Sequence, residues 1–269
     1  MERNVEIDKI SDGKRYGAND LVKVGCDDCR GCSACCHGMG DSIVLDPMDV
    51  YRLEKKLGKT MEEILLAGNV ALRVVDGVIL PHLKMTEQSD RCSFLNEEGR
   101  CSIHDARPGF CRMFPLGRLY EDGTFSYFLQ VNECPKENKT KVKVRRWLDT
   151  PELGKYEAFT TKWHYYLKEK QNAARESEDD AFRQQISMNI LKLFYLLPYD
   201  GNTDFYTQFA DRMELAAKRK HYKIYILWKF FFVRQPSCFF ISFRRKTFLL
   251  RRRPGRLPGS HASVDGCRK

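Results

Sequence analysis

The sequence predicts an α+β fold: a cysteine-rich N-terminal half nucleated by metal, with short helices and hairpins, then a helical C-terminal half and a poorly structured basic tail. Three observations predict it. Nine of the 11 cysteines fall in two runs between residues 26 and 134. Apolar spacing mixes strand and helix periods up to about residue 148 and is helical after it. Residues 218–269 hold 15 Lys and Arg against one acid, Asp265.

At 269 residues, 42% hydrophobic and 30% charged, the chain is long enough to bury a core and too mixed for wholesale disorder or a polytopic membrane protein. The net charge of +10 invites a nucleic-acid partner, but residues 218–269 alone are net +14 and residues 1–217 are net −4. Nucleic acid is therefore unsupported outside the tail. The expected organisation is a cysteine-cluster metal-binding domain over 15–140, a helical region over 149–218 packed on it, and a basic aromatic tail over 219–269.

Residues 15–45 are rich in Gly, Asp and Cys without a helical apolar period, which predicts loop held by a metal rather than by packing. Asp46-Pro47 reads as an N-cap with proline in the first turn, Val50, Leu53 and Leu57 follow at helical spacing, and Gly58 ends the helix. Thr60 and Glu63 form a capping box before Ile64, Leu65 and Leu66. Arg73–Leu80 reads as a hairpin around Asp76-Gly77, and Arg118–Val131 as another around Asp122-Gly123. Helices are expected over Pro151–Lys170, Phe182–Leu197 and Thr203–Lys218, with Trp147 and Trp163 anchoring the helical half.

The tail carries an apolar stretch, Tyr222–Val233, of only 12 residues interrupted by Lys223 and Lys229, whereas a membrane span needs roughly 20. No transmembrane segment is expected. The tail reads as disordered or non-native sequence; the other reading is an arm for anionic lipid or RNA.

Cysteines carry the chemistry. Cys26, Cys29, Cys32 and Cys35 follow one another at steps of three, with Cys36 and His37 directly after. Such steps let the backbone turn around one ion or cluster while its amides face the sulfurs. Cys92 and Cys101 flank a Glu98-Gly99 turn, Pro108 and Pro115 stiffen the loop of Cys111, and Cys134 follows. The expected metal ligands are thus Cys26, Cys29, Cys32, Cys35, Cys36, Cys92, Cys101, Cys111 and Cys134. Two four-thiolate sites would use eight of these nine, with Cys35 and Cys36 serving one each; the alternative is a single site with the other thiols held for chemistry. Nine thiols exceed what one zinc needs, which favours an iron–sulfur cluster over zinc.

His37 and His104 either complete a zinc shell or hydrogen-bond beside it, and Arg107 and Arg112 either donate to sulfur or a substrate carboxylate, or pair with Asp105 or Glu97. Asp46 and Asp49 read as helix-start residues rather than catalytic acids. His82, His164 and His221 are scattered, and no nucleotide-binding or serine-hydrolase motif occurs. Met1–Lys14 lacks the pattern of a secretory signal, so the close-set thiols predict a reducing cytoplasm.

These residues carry a resemblance. The run Cys29-x-x-Cys32-x-x-Cys35-Cys36, then Asp46-Pro47-x-Asp49, Cys92-x-Phe94-Leu95, Cys101-x-Ile103 and Arg107-Pro108-x-x-Cys111-Arg112-x-Phe114-Pro115 resemble the YkgJ-type cysteine-cluster family, described as chelating zinc or iron. Flagellin lysine N-methylases are similar to it in the same motifs. The resemblance covers roughly residues 22–136. It implies binding of metal or an iron–sulfur cluster by Cys29, Cys32, Cys35, Cys36, Cys92, Cys101, Cys111 and Cys134. Methylase chemistry would add a protein substrate and S-adenosylmethionine. Three classes stay open: an enzyme modifying protein side chains such as lysine, an electron-transfer or metal-handling protein, and a zinc-stabilised interaction module.

Overall fold

The computed structural model describes residues 7–26 and 32–218; Cys29, His221 and the basic tail lie outside the described residues. A single helical turn, α1 (Ile7–Ile10), precedes strand β1 (Leu21–Gly25). The stretch expected to be loop therefore contains a strand. Its signal is Leu-Val-Lys-Val, in which Val22 and Val24 are buried and Leu21 and Lys23 exposed. The strand pairs antiparallel with β6 (Thr140–Lys143), Leu21 facing Lys143 and Val22 facing Val142. No local turn links the two, so alternation alone could not have found the partner. Gly25 sits at a register shift in this ladder, where a Cβ would meet Thr140 Oγ1 at 2.2 Å.

Helix α2 (Pro47–Leu57) opens with the expected cap, a full capping box in which Asp46 and Asp49 each accept from the other's amide, and Gly58 ends it at φ 62°. Thr60 and Glu63 do the same for α3 (Met61–Leu66). Strands β2 (Val70–Val75) and β3 (Val78–Leu83) form the first expected hairpin, with positive φ at both Asp76 and Gly77. After the short helix α4 (Gly109–Met113), β4 (Leu116–Glu121) and β5 (Thr124–Leu129) form the second around Asp122 and Gly123.

The helical half comprises α5 (Val144–Leu148), α6 (Leu153–Glu176), α7 (Asp180–Ile190), which continues as a π-helical turn over Leu191–Leu196, and α8 (Phe205–Lys218). On α6, Leu153, Tyr156, Phe159, Trp163 and Leu167 form the buried stripe. Phe159 meets Phe209 of α8 edge-on at 4.8 Å, and Trp163 meets Phe194 at 4.9 Å. Trp163 anchors this half as expected. Trp147 does not: its indole N–H donates to the carbonyls of Met113 (3.3 Å) and Phe114 (3.2 Å), on the cysteine side. One hydrophobic cluster runs through both halves, from Val22, Cys92, Phe94 and Ile103 to Trp163, Phe194 and Phe209. Among the described residues no helix is long and apolar enough to cross a membrane.

Candidate metal centre

Local backbone pairing assembles thiols from both cysteine runs. A 3₁₀ turn over Ala34–Cys36 presents Cys35 and Cys36. The next residues pair with the second run: Cys92 N donates to Cys36 O at 2.7 Å and Gly38 N to Asp90 O at 2.9 Å. Leu95 bridges Cys101 across the expected turn, which Gly99 makes at φ 71°, and Ser102 N donates to Phe94 O at 2.8 Å. Cys111 arrives on α4. Its helix is tied to α2 by Gly109 N donating to Asp49 Oδ1 at 2.7 Å. Any side chain at Gly109 would put its Cβ 2.4 Å from the Tyr156 hydroxyl. Asp46 and Asp49 are thus helix-start residues, and Asp49 also positions Cys111.

These five thiols influence one another electrostatically. Cys35 is lowered to about 7, first by the hydrogen bond it accepts from the Cys36 thiol and further by the Arg107 charge. Cys36 is raised by giving that hydrogen bond, by burial, and by Cys35, Cys92 and Cys111 nearby. Burial raises Cys92 and Cys101, each also disfavoured by Cys35. Cys111 is pushed well above the usual thiol range by burial, with Cys92, Cys35, Asp49 and Cys101 adding to it. A metal would displace the protons these thiols hold. Among the described residues no group of three or more His, Cys, Asp or Glu side chains is arranged so that it could hold a metal ion as it stands.

Cys26, Cys32 and Cys134 are placed elsewhere, around a small cavity that Cys35 also borders. All eight described cysteines of the two runs are thiols, none in a disulfide. A second, larger cavity of about 540 Å³ has no cysteine in its wall and lies between Tyr16, the β4–β5 turn, and Glu157 and Lys162 of α6.

Guanidinium groups act on two of the thiols and on the capping-box carboxyls. Arg107 acts on Cys35 and Cys101, and its Nη1 lies 2.7 Å from His104 Nε2, which engages that imidazole. Arg112 does not pair with the Asp105 carboxylate; it donates to the main-chain carbonyls of Asp105 (2.6 Å) and Asp149 (2.9 Å), while Lys56 takes the Asp105 carboxylate at 2.8 Å. Arg112 feels the positive charges of Arg52 and Arg107, and Arg118 and Arg52 act on Asp46. Each of Arg52, Arg107, Arg112 and Arg118 keeps one buried N–H without a hydrogen-bond partner among the described residues. Sequence reasoning missed Arg52 and Arg118, because nothing in their spacing relates them to a cysteine. His37 lies 3.5 Å from Ser33 Oγ, His82 contacts Leu83 O, and His164 stacks on Tyr120.

Thiols from two distant segments, two of them near the Arg107 charge, make this a thiol-rich segment. Residues 28–144 match the CxxCxxCC family, described as "Putative zinc- or iron-chelating domain". The resemblance read from the motifs is borne out over that stretch, which includes every expected ligand except Cys26. No curated protein and no solved structure matches the chain.

Proposed function

We propose that the chain holds an iron–sulfur cluster on Cys36, Cys92, Cys101 and Cys111 and uses it in electron transfer or in support of protein side-chain modification. The observation that carries this reading is the mutual influence of these thiols: Cys92 and Cys101 act on Cys111, Cys92 and Cys111 on Cys36, and Cys101 on Cys92, with the Arg107 charge acting on Cys101. Four thiolates around a dipositive centre carry two net negative charges whether that centre is zinc or a cluster; nine thiols, more than one zinc needs, favour the cluster. The donors are of the right chemical kind, four thiols that each influence at least one other, and a bound group would have to draw them together, since no three are arranged to hold a metal ion as they stand.

Such a cluster supplies one-electron chemistry when bound. This chain's part is to exclude water from the sulfurs by burial and to place the Arg107 charge beside them, both of which tune the potential. Anaerobic purification with elemental analysis and visible absorption tests the reading. A brown protein with iron and acid-labile sulfide, lost together in Cys92→Ser, supports it. A colourless protein with stoichiometric zinc overturns it in favour of a zinc-stabilised interaction module. Added S-adenosylmethionine raising the melting temperature of the brown protein would support the modifying-enzyme arm over simple electron transfer.

A further inference from the structure

We propose that the outer edge of β2 is a self-association surface, which pairs antiparallel with the same edge of a second copy of this chain about a two-fold axis at Leu72. The direction of that edge follows from its neighbours. Leu83 N donates to Ile43 O at 3.0 Å, Leu45 N to Pro81 O at 2.9 Å and Ile79 N to Ser187 Oγ at 3.3 Å, so residues 79, 81 and 83 of β3 turn their main-chain groups away from β2. In an antiparallel ladder the residues opposite do the same. Those are Val74, Leu72 and Val70, whose N–H and C=O groups therefore point out of the sheet; among the described residues they have no hydrogen-bond partner.

This edge is preformed and unguarded. Ser93 Oγ donates to Asn69 O at 3.1 Å and Gln171 Nε2 to Val75 O at 3.1 Å, which holds both ends of the strand. Edges that stay single carry lysine, proline or a bulge, whereas Val-Ala-Leu-Arg-Val-Val has no Lys, no Pro and no register shift. Its one charge, Arg73, alternates to the other face and pairs with Asp41. Leu72 and Val74 are 43% and 63% exposed, and with Leu66 just before the strand they make three of the seven large apolar side chains exposed among the described residues. The residue order selects a second copy as the occupant. Centred on Leu72, the two-fold sets Leu72 against Leu72, Val74 against Val70 and Arg73 against Ala71 of the other copy, so every outward N–H finds a carbonyl and no like charges meet. A centre at Arg73 would oppose two guanidinium groups, and one at Val74 would set Leu72 against Asp76, past the end of the strand. So short a pairing buries less than the about 1,200 Å² of a standard interface, so the dimer is weak and concentration-dependent.

The test is sedimentation velocity on the reduced full chain from low to high micromolar concentration, with and without chelator. Wild type should show a monomer–dimer equilibrium, and hydrogen exchange at the Leu72 and Val74 amides should slow as the dimer forms. Val74→Pro removes an outward N–H that β3 does not use, so it should keep the helical circular dichroism and weaken the dimer about tenfold or more. Leu72→Lys and Leu72→Glu should each be monomeric, because residue 72 faces its own copy, and a one-to-one mixture of the two should dimerise again. The inference is overturned if wild type stays monomeric at every concentration, whether its edge amides exchange fast or another segment of the chain covers them. It is equally overturned by a dimer that survives both Val74→Pro and Leu72→Lys, by a mixture that stays monomeric, or by a dimer that chelation dissolves while the helical signal holds. Metal content is measured separately, so the proposed function stands or falls independently of these outcomes.

Discussion

Cys35 is the one thiol of its group whose environment favours the thiolate, because it accepts from the Cys36 thiol and sits near Arg107. In metal-free, reduced protein it should therefore alkylate first, with a rate that titrates near pH 7, while Cys36, Cys92, Cys101 and Cys111 lag as protonated thiols. Peptide mapping after brief iodoacetamide treatment checks this, and equal labelling of all five would contradict it. Asp49 is the other residue with a measurable signature. Burial, then the Asp46 charge, raises it from 3.8 to about 7. Between about pH 4 and pH 7 the folded state holds a proton that the unfolded chain has shed, so this carboxyl costs stability as pH rises through that window. Urea unfolding of metal-free protein should show wild type losing ground to Asp49→Asn from pH 4 to 7 by a few kcal/mol; a constant difference would mean the carboxyl is not buried as described. Exposed carboxyls common to both proteins cancel in that comparison.

Elements are where local chemistry was most legible and where it stopped. Both capping boxes and both Asp-Gly hairpins stand where their residues predicted them, because each is decided within four or so residues by caps and positive φ. The buried stripe of α6 was equally plain in Tyr156, Phe159 and Trp163. What could not be read joins distant elements: the β1–β6 ladder, the swing of Trp147 to the cysteine side, and the approach of Arg52 and Arg118 to Asp46 and the Tyr156 ring. The convergence of Cys36 with Cys92 was foreseen from thiol count, but the division that leaves Cys26, Cys32 and Cys134 around their own cavity needed coordinates. Glu54 shows how such joints work. Its two oxygens accept from Met61 N (2.9 Å) and Tyr199 N (3.0 Å), locking α2 to the start of α3 and to the loop before α8. Glu54→Ala leaves two buried amides unpaired, at about 1–3 kcal/mol each, so urea unfolding should register a loss of about 2–5 kcal/mol. A loss under about 1 kcal/mol would show that water replaces the carboxylate.

For the whole molecule, the decisive fact is that one hydrophobic cluster includes Cys92, Phe94 and Ile103 beside Trp163, Phe194 and Tyr195. The Tyr195 hydroxyl donates to Leu45 O at 3.0 Å, and Gln171 Nε2 to Val75 O at 3.1 Å, fastening helices to the cysteine-bearing half. A metal that binds only the folded state stabilises whatever unfolds with its site. With the core continuous, that is the helical half as well as the thiol half. At free metal 100-fold above its dissociation constant the gain is about 2.7 kcal/mol, and 1 kcal/mol moves the midpoint of a domain this size by about 2–4 °C. Chelation should therefore lower one common melting transition by about 5–10 °C, with helical circular dichroism and tryptophan emission falling together at both metal levels. If the helical signal keeps its midpoint while the tryptophan signal moves, the two halves unfold independently, and metal binding stabilises the cysteine segment alone.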